Sequence, residues 1–415
     1  MSIAFPPTAS PYRRQALWAG AAIAVTAVNL RTAVTGFTPL LEVIGDDLGY
    51  GLTLAGVLGT VPAASFAAFG FLAPHVTRRF GLERTAAVAL SLTAVALLLR
   101  ALSPGPLSLV ISTVLALAGI GATNVVIVPL VKAWFPQRIA LWTSLYLILM
   151  QAGQFISPLL AIPIAQAAGW RSSVGMWAAP AAVAGAVWFV LMSKLPADHH
   201  APSAVPAHAD RVRVGRSATV WGLVVLFGAM SMSNYGIITW VPSVLTDAGA
   251  DAALGGTMVA LYSVWGVAAA FTVPQLATRL TNPFIVVVGC ALFLVCGYLG
   301  LLLSPLGGTV AWICALGIGV STFPLCMTLI NRRTRTPQTA AAVSGFVQGI
   351  GYGLACLAPI GLGLLREATG SWSVPLLALA ATAVPGVVAG WYACRPRFVE
   401  DEVRRSGAAA AFSRG

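Results

Sequence analysis

The sequence predicts an all-α polytopic membrane protein, twelve transmembrane helices in two six-helix halves, and three observations carry that prediction. Of the 415 residues, 58% are hydrophobic and 9% charged, with a mean hydropathy of +0.87; a soluble domain carries about 25% charged residues. Apolar runs close to the ~20 residues that cross a bilayer recur along the chain. The basic residues alternate: apart from Arg31, Arg100, Arg171 and Arg366, every Lys and Arg falls in alternate gaps between the runs or at the chain ends. Helix is the state such runs take, because an open sheet edge has no partners in lipid.

Taken in order, the predicted spans are 16–41, 52–74, 85–103, 107–131, 139–166, 173–193, 218–243, 253–276, 283–304, 308–330, 338–365 and 373–394. The first follows a Pro/Ser-rich start and Arg13-Arg14, with no cleavable signal, and is expected to remain as an anchor. Residues 1–15 form an N-terminal tail, 16–193 one half and 218–394 the other. Between the halves, Lys194 to Ser217 is rich in Pro, Ala and charge and reads as a linker. Its His199, His200 and His208 lack ligand spacing with Cys or carboxylates, so they read as solvated and no metal or other cofactor is expected. The tail 395–415 is basic, then Ala-rich, and is expected to be disordered. The six cysteines show no CxxC spacing, and all but Cys394 read as small buried hydrophobes.

Charge then orients the chain. The basic gaps hold Arg13 and Arg14; Arg78, Arg79 and Arg84; Lys132 and Arg138; Lys194 to Arg216; Arg279; Arg332, Arg333 and Arg335; and the tail. The positive-inside rule places these gaps and both termini in the cytoplasm, in an inner (cytoplasmic) membrane. The same clustering accounts for the net charge of +12 without nucleic acid. The partners expected are the lipid bilayer and a small solute, with a proton as candidate coupling ion and the chain as a monomer.

One charge breaks the pattern. Arg31 sits within the first apolar run, in Asn29-Leu30-Arg31-Thr32-Ala33, roughly 24 Å from Gln15 and roughly 15 Å from Leu41 at ~1.5 Å per residue. A charge at that depth costs at least ~2.5 kcal/mol and normally faces a cavity. Arg31 is therefore read as a ligand for an anionic or strongly polar solute, the bland alternative being an ion pair with Glu42 or Asp46 or a cap on a broken helix. Arg100, near the end of the third run, reads as a snorkelling residue.

The halves repeat weakly. The first span ends Phe37-Thr38-Pro39 before Asp46 and Asp47; the seventh ends Trp240-Val241-Pro242 before Asp247 and Asp251. Gln151 and Gln348 correspond, and each of their spans leads to a turn containing Gly-Trp or Gly-Ser-Trp. Two related halves around a linker are the mark of a transporter with a midplane site.

The pattern resembles the major facilitator superfamily, and within it the cyanate transporter and 2-nitroimidazole exporter family. The residues that carry the resemblance are Asn29 to Ala33; Asn124 to Pro129 with Lys132 and Phe135-Pro136; and Tyr235 with Trp240 to Pro242. Further ones are Phe323 to Leu325, Thr328 to Ile330 and Arg332, then Ser344 to Phe346, Gln348, Gly351-Tyr352 and Pro359. The superfamily's basic signature between spans two and three is degenerate, with Pro74 where Asp is usual. The resemblance implies a cavity lined mainly by spans one, four, seven and ten, helped by five, eight and eleven. On these spans the solute-binding candidates are Arg31, Asn29, Asn124, Tyr146, Gln151, Gln154, Asn234, Tyr235, Gln348 and Tyr352. Gln151 and Gln154, three apart, share one helix face. Amides in spans also bond across helices, and tyrosines also pack at interfaces, so each has a structural alternative. Arg78, Arg79, Arg84, Arg332 and Arg333 are gating candidates, or else ordinary basic loop residues.

All twelve acidic residues lie in loops, span ends or tail, leaving Arg31 unneutralised by any mid-span carboxylate. The expected function is secondary transport of a small anion or anion-like solute by alternating access around a midplane site. The alternative is efflux of small neutral heterocycles. No HExxH, GxSxG with a partner His or paired Asp appears within the spans, and no P-loop appears in the chain, so neither an enzyme nor an ATP-driven pump is expected.

Overall fold

The computed structural model describes residues 11–135, 137–194 and 214–412, and among them the regular elements are all helical. In the first half, α1 (Pro11–Thr35) gives way through a tight turn at Thr38–Leu40 to the short α2 (Leu41–Leu48). Gly49, at φ 72°, ends it in the left-handed conformation that glycine tolerates. There follow α3 (Leu52–Phe80), α4 (Leu82–Ala101), α5 (Pro106–Trp134), α6 (Ile139–Gly175) and α7 (Ala178–Ser193). In the second half α8 (Ala218–Asp247) starts at Ser217, whose hydroxyl caps the Val220 N–H, and α9 (Ala252–Arg279) and α10 (Phe284–Leu303) follow. The remaining spans are each divided: α11 (Thr309–Gly319) and α12 (Thr322–Arg332), α13 (Pro337–Ala355) and α14 (Leu357–Thr369), α15 (Ser373–Ala381) and α16 (Ala383–Cys394).

Eleven helical stretches among the described residues are long and apolar enough to cross a membrane. One of them, Leu145–Ser193, runs two predicted spans together. Within it Gly169 leaves the helical path (φ 81°, ψ 155°), and dividing the stretch there gives the twelve predicted crossings.

Two apolar clusters form the core: one is centred on first-half residues such as Ile23, Leu90, Leu97 and Trp188, and the other, around Leu223, Phe227, Leu316 and Leu329 of the second half, also takes in Leu40, Ile44 and Leu58 of the first. The Trp188 indole N–H donates to Thr26 Oγ1 (3.0 Å), so even this buried ring is satisfied. The repeat is realised as matched side-chain clusters. The Asp47 carboxylate accepts from Trp170 Nε1 (3.0 Å) and Arg171 Nη1 (2.9 Å). Asp247 accepts from Trp372 Nε1 (2.8 Å) and Arg366 Nη2 (2.7 Å). Both clusters mark the far face of the bundle, opposite the face where α1 begins and α17 lies.

Two expectations are corrected. Residues 399–412 of the tail form a helix, α17 (Val399–Phe412), rather than a disordered segment. Its acidic first turn explains why: Glu402 accepts from the Ser217 and Thr219 hydroxyls and the Thr219 N–H at the start of α8. Glu400 accepts from the Arg335 N–H (2.8 Å), and Asp401 takes a two-pronged bond from the Arg335 guanidinium. Carboxylates at helix N-termini satisfy free N–H groups and the helix dipole. Arg100 is the second correction. It does not snorkel; it is 1% exposed, because a backbone carbonyl inside the bundle claims it. Most of the predicted linker, including its three histidines, lies outside the described residues, as do the first ten residues and the side chain of Arg78.

Candidate functional site

Four helices converge on Arg31. The residue lies one turn before the end of α1, and its guanidinium rests over the Phe66 ring of α3, 5.0 Å from the centroid. Beside it stand the hydroxyls of Tyr235 on α8 and Tyr352 on α13. The rings pack on one another: Phe66 and Tyr352 at 5.8 Å, Tyr235 and Tyr352 at 6.3 Å, with Phe227 supporting Tyr352 at 5.1 Å. A guanidinium against aromatic faces gains cation–π attraction while its remaining N–H groups stay available.

No carboxylate among the described residues pairs with it. Among the described residues the ion pairs are Arg171–Asp47, Arg335–Asp401 and Arg366–Asp247. Glu42 and Asp46, the sequence's alternative partners for Arg31, sit elsewhere: Glu42 faces Ser243, Asp247, Asp46 and Arg366 near the far face. The carbonyl-capping alternative is taken by Arg100, whose two Nη atoms each lie 3.3 Å from the Ala33 carbonyl oxygen.

The other candidates are spread around this centre. Asn29 turns back to donate to the Val25 carbonyl of its own helix (2.8 Å). Gln348 likewise donates to Ser344 Oγ (2.7 Å). Asn234 accepts from the Tyr262 hydroxyl (2.9 Å), and Tyr146 packs into the first half's core. The side chain of Asn124, half-buried on α5, makes no hydrogen bond with the described residues. Gln151 and Gln154 do share a face, and that face meets α9: Gln154 Nε2 donates to Ser263 Oγ (3.2 Å), and Gln151 lies against Gly266.

Of the gating candidates, Arg79 and Arg84 are exposed. Arg332 donates to the Ala277 carbonyl of α9, and Arg333 braces the end of α12 to the Ala393 and Cys394 carbonyls of α16. Both are bonds within the second half. Sequence reading missed Phe66, a phenylalanine in an apolar helix with no polar signal to single it out.

Beyond the site, toward the far face, the halves are sealed turn by turn. Thr60 Oγ1 donates to the Cys356 carbonyl (3.2 Å), and Gly59 packs on Thr239. A methyl group on Gly56 would stand 2.5 Å from the Pro359 carbonyl oxygen, and one on Gly256 would stand 2.5 Å from that of Pro158. Trp240 Nε1 donates to the same Pro359 oxygen (2.9 Å). At the rim, the N–H and hydroxyl of Thr53 both donate to Glu367.

Residues 18–359 match the family model described as Major Facilitator Superfamily. The chain is 31% identical to the 2-nitroimidazole transporter of Escherichia coli (strain K12), covering 87% of this chain and 91% of the relative. It is 29% identical to the cyanate transport protein CynX of the same organism, over 83% and 89%. Its fold superposes on a crystal structure of the nucleoside transporter NupG with a TM-score of 0.76 at 12% identity, covering 90% of this chain and 99% of that one.

Proposed function

The chain belongs to the major facilitator superfamily, a family of transporters rather than enzymes, and from that premise we propose that it carries a small anion or anion-like solute. The carrying observation is a guanidinium without a carboxylate, Arg31, placed between the halves against Phe66, Tyr235 and Tyr352. In a low-dielectric bundle such a charge attracts an anion far more strongly than it would in water. The guanidinium fork and two hydroxyls suit a small planar acceptor. Transport proceeds by rocking of the halves: the sealed far face is the outer one, both chain ends are cytoplasmic, and the membrane is the bacterial inner membrane. With no acid beside Arg31, a coupled proton would travel on the solute or be absent. The chain works as a monomer.

A second reading rests on a specific observation. The ring cluster also suits a flat neutral heterocycle, the kind of solute one relative is named for. Uptake into proteoliposomes separates the two, using cyanate, formate, benzoate and 2-nitroimidazole at two pH gradients. For the anion reading, Arg31→Ala raises KM for the transported anion by about 10–100-fold, the worth of a charged hydrogen bond. Transport of 2-nitroimidazole alone, unchanged in the variant, would replace it with the efflux reading.

A further inference from the structure

Arg100 is a buried charge that the proposed site does not use. It is 1% exposed, pairs with no carboxylate among the described residues, and leaves its Nε without a partner. A guanidinium sealed inside a membrane bundle normally has a task.

What it holds is the break in α1. The Phe37 N–H has tightened onto the Val34 carbonyl (3.2 Å), so the Ala33 oxygen that a continuing helix would give to Phe37 is left over. Buried orphan carbonyls need a donor. Arg100 supplies two N–H groups from α4 and lies over the Phe37 ring, 4.3 Å from its centroid. Its charge also meets the negative end of the α1 dipole. α6 grips the same turn: Thr35 Oγ1 lies 2.7 Å from Ser157 Oγ and 3.3 Å from the Gln154 carbonyl, while also reaching the Arg31 carbonyl at 3.2 Å. The turn from Arg31 to Thr35 is clamped between α4 and α6, and Arg31 is its first residue.

We propose that Arg100 is a positioning residue for solute recognition, fixing the broken end of α1 so that Arg31 is presented to the solute in one orientation. The proposal rests on the reading of Arg31 as solute ligand. It assigns Arg100 no contact with the solute. Lysine would keep the charge and a donor but lose the paired N–H groups and the flat stack on Phe37, so it should substitute only in part.

The test is uptake kinetics in proteoliposomes with whichever of cyanate, formate and benzoate is transported best, for wild type, Arg31→Gln, Arg100→Gln and Arg100→Lys. Misplacing a ligand by a fraction of an ångström costs about tenfold or more. Arg100→Gln should therefore raise KM about tenfold with the saturating rate within about twofold of wild type, and Arg100→Lys should recover part of that loss. An unchanged KM in Arg100→Gln, beside a raised one in Arg31→Gln, overturns the proposal and leaves Arg100 a purely structural cap. A lower saturating rate at constant KM overturns it too. Unchanged KM in both glutamine variants fails the underlying reading of Arg31 instead. If Arg100→Gln yields no folded protein, Phe37→Leu removes the stack and keeps the carbonyl bonds. A several-fold rise in KM then supports the proposal, and an unchanged KM overturns it.

Discussion

The two halves agree where they close and differ where we propose that they bind. Asp47 and Asp247 stand 200 positions apart, each gathering a tryptophan and an arginine. Gly56 and Gly256 keep the same spacing, and each lies under a proline carbonyl of the opposite half. At that spacing, however, Arg31 meets Ser231 and Thr35 meets Tyr235. Ser231 is buried with an unpartnered hydroxyl, while Tyr235 supplies a ring to the site. Closure depends on backbone approach, which any side chain would obstruct, so both copies keep it. On the proposed reading, recognition needs one charge against several rings, and a symmetric pair of arginines would repel each other. On that reading the broken symmetry carries the function.

The sharpest way to break this comparison is to fill the seal from either side. Gly56→Leu and Gly256→Leu each set a side chain against backbone that is already in contact. Overpacking costs typically ~1–3 kcal/mol, so each should reduce transport by about tenfold or more and widen spin-label distances across the far face. An effect in only one of them would show that the seal is not shared equally.

A smaller effect separates the matched clusters. Asp47→Asn and Asp247→Asn should each lower thermal stability only slightly, as half-exposed ion pairs do. Asp247 should cost more, because Arg366 is 22% exposed against 46% for Arg171. Equal shifts on calorimetry would remove that distinction.

The smallest effect concerns α17, a feature of the second half. Burial pushes Glu402 up, but bonds from Ser217 and Thr219 outweigh it and hold the carboxyl below its ordinary 4.5. Glu400 is held down in the same way by the backbone N–H groups of Arg335 and Thr336. Because both are depressed, their stabilisation is complete above pH 4.5 and fades as pH falls through the lowered values. Tryptic cleavage at Arg404 and Arg405, read after brief acid exposure, should therefore rise below pH 4.5, and Glu402→Gln should show the rise already at neutral pH. A flat profile would mean that the carboxylates do not hold the helix.

Much of this was legible in the chain. The spans follow from apolar length, and Arg31 stood out because a charge in mid-span is too costly to persist without a task. Arg100 looked like a snorkelling residue because it lies near a span end; its fate depends on a carbonyl freed by a break in another helix, which no local pattern records. The shared face of Gln151 and Gln154 was readable from spacing, but that it meets α9 is a matter of packing. Phe66 carried no signal. The tail helix did carry one, three acids from Glu400 to Glu402 at its start, and the alanines after them drew attention away.

The grip of α17 on α8 has a consequence for the order of synthesis. Ser217 and Glu402 are 185 residues apart. At 5–20 residues per second the ribosome needs roughly 10–40 s to travel between them. Throughout that interval the Thr219 N–H and the Ser217 and Thr219 hydroxyls at the start of α8 wait for an acid not yet made. The second half is thus assembled like a book whose last page is pasted to its first, and a nascent chain halted before Val399 would hold every span and still leave that binding undone.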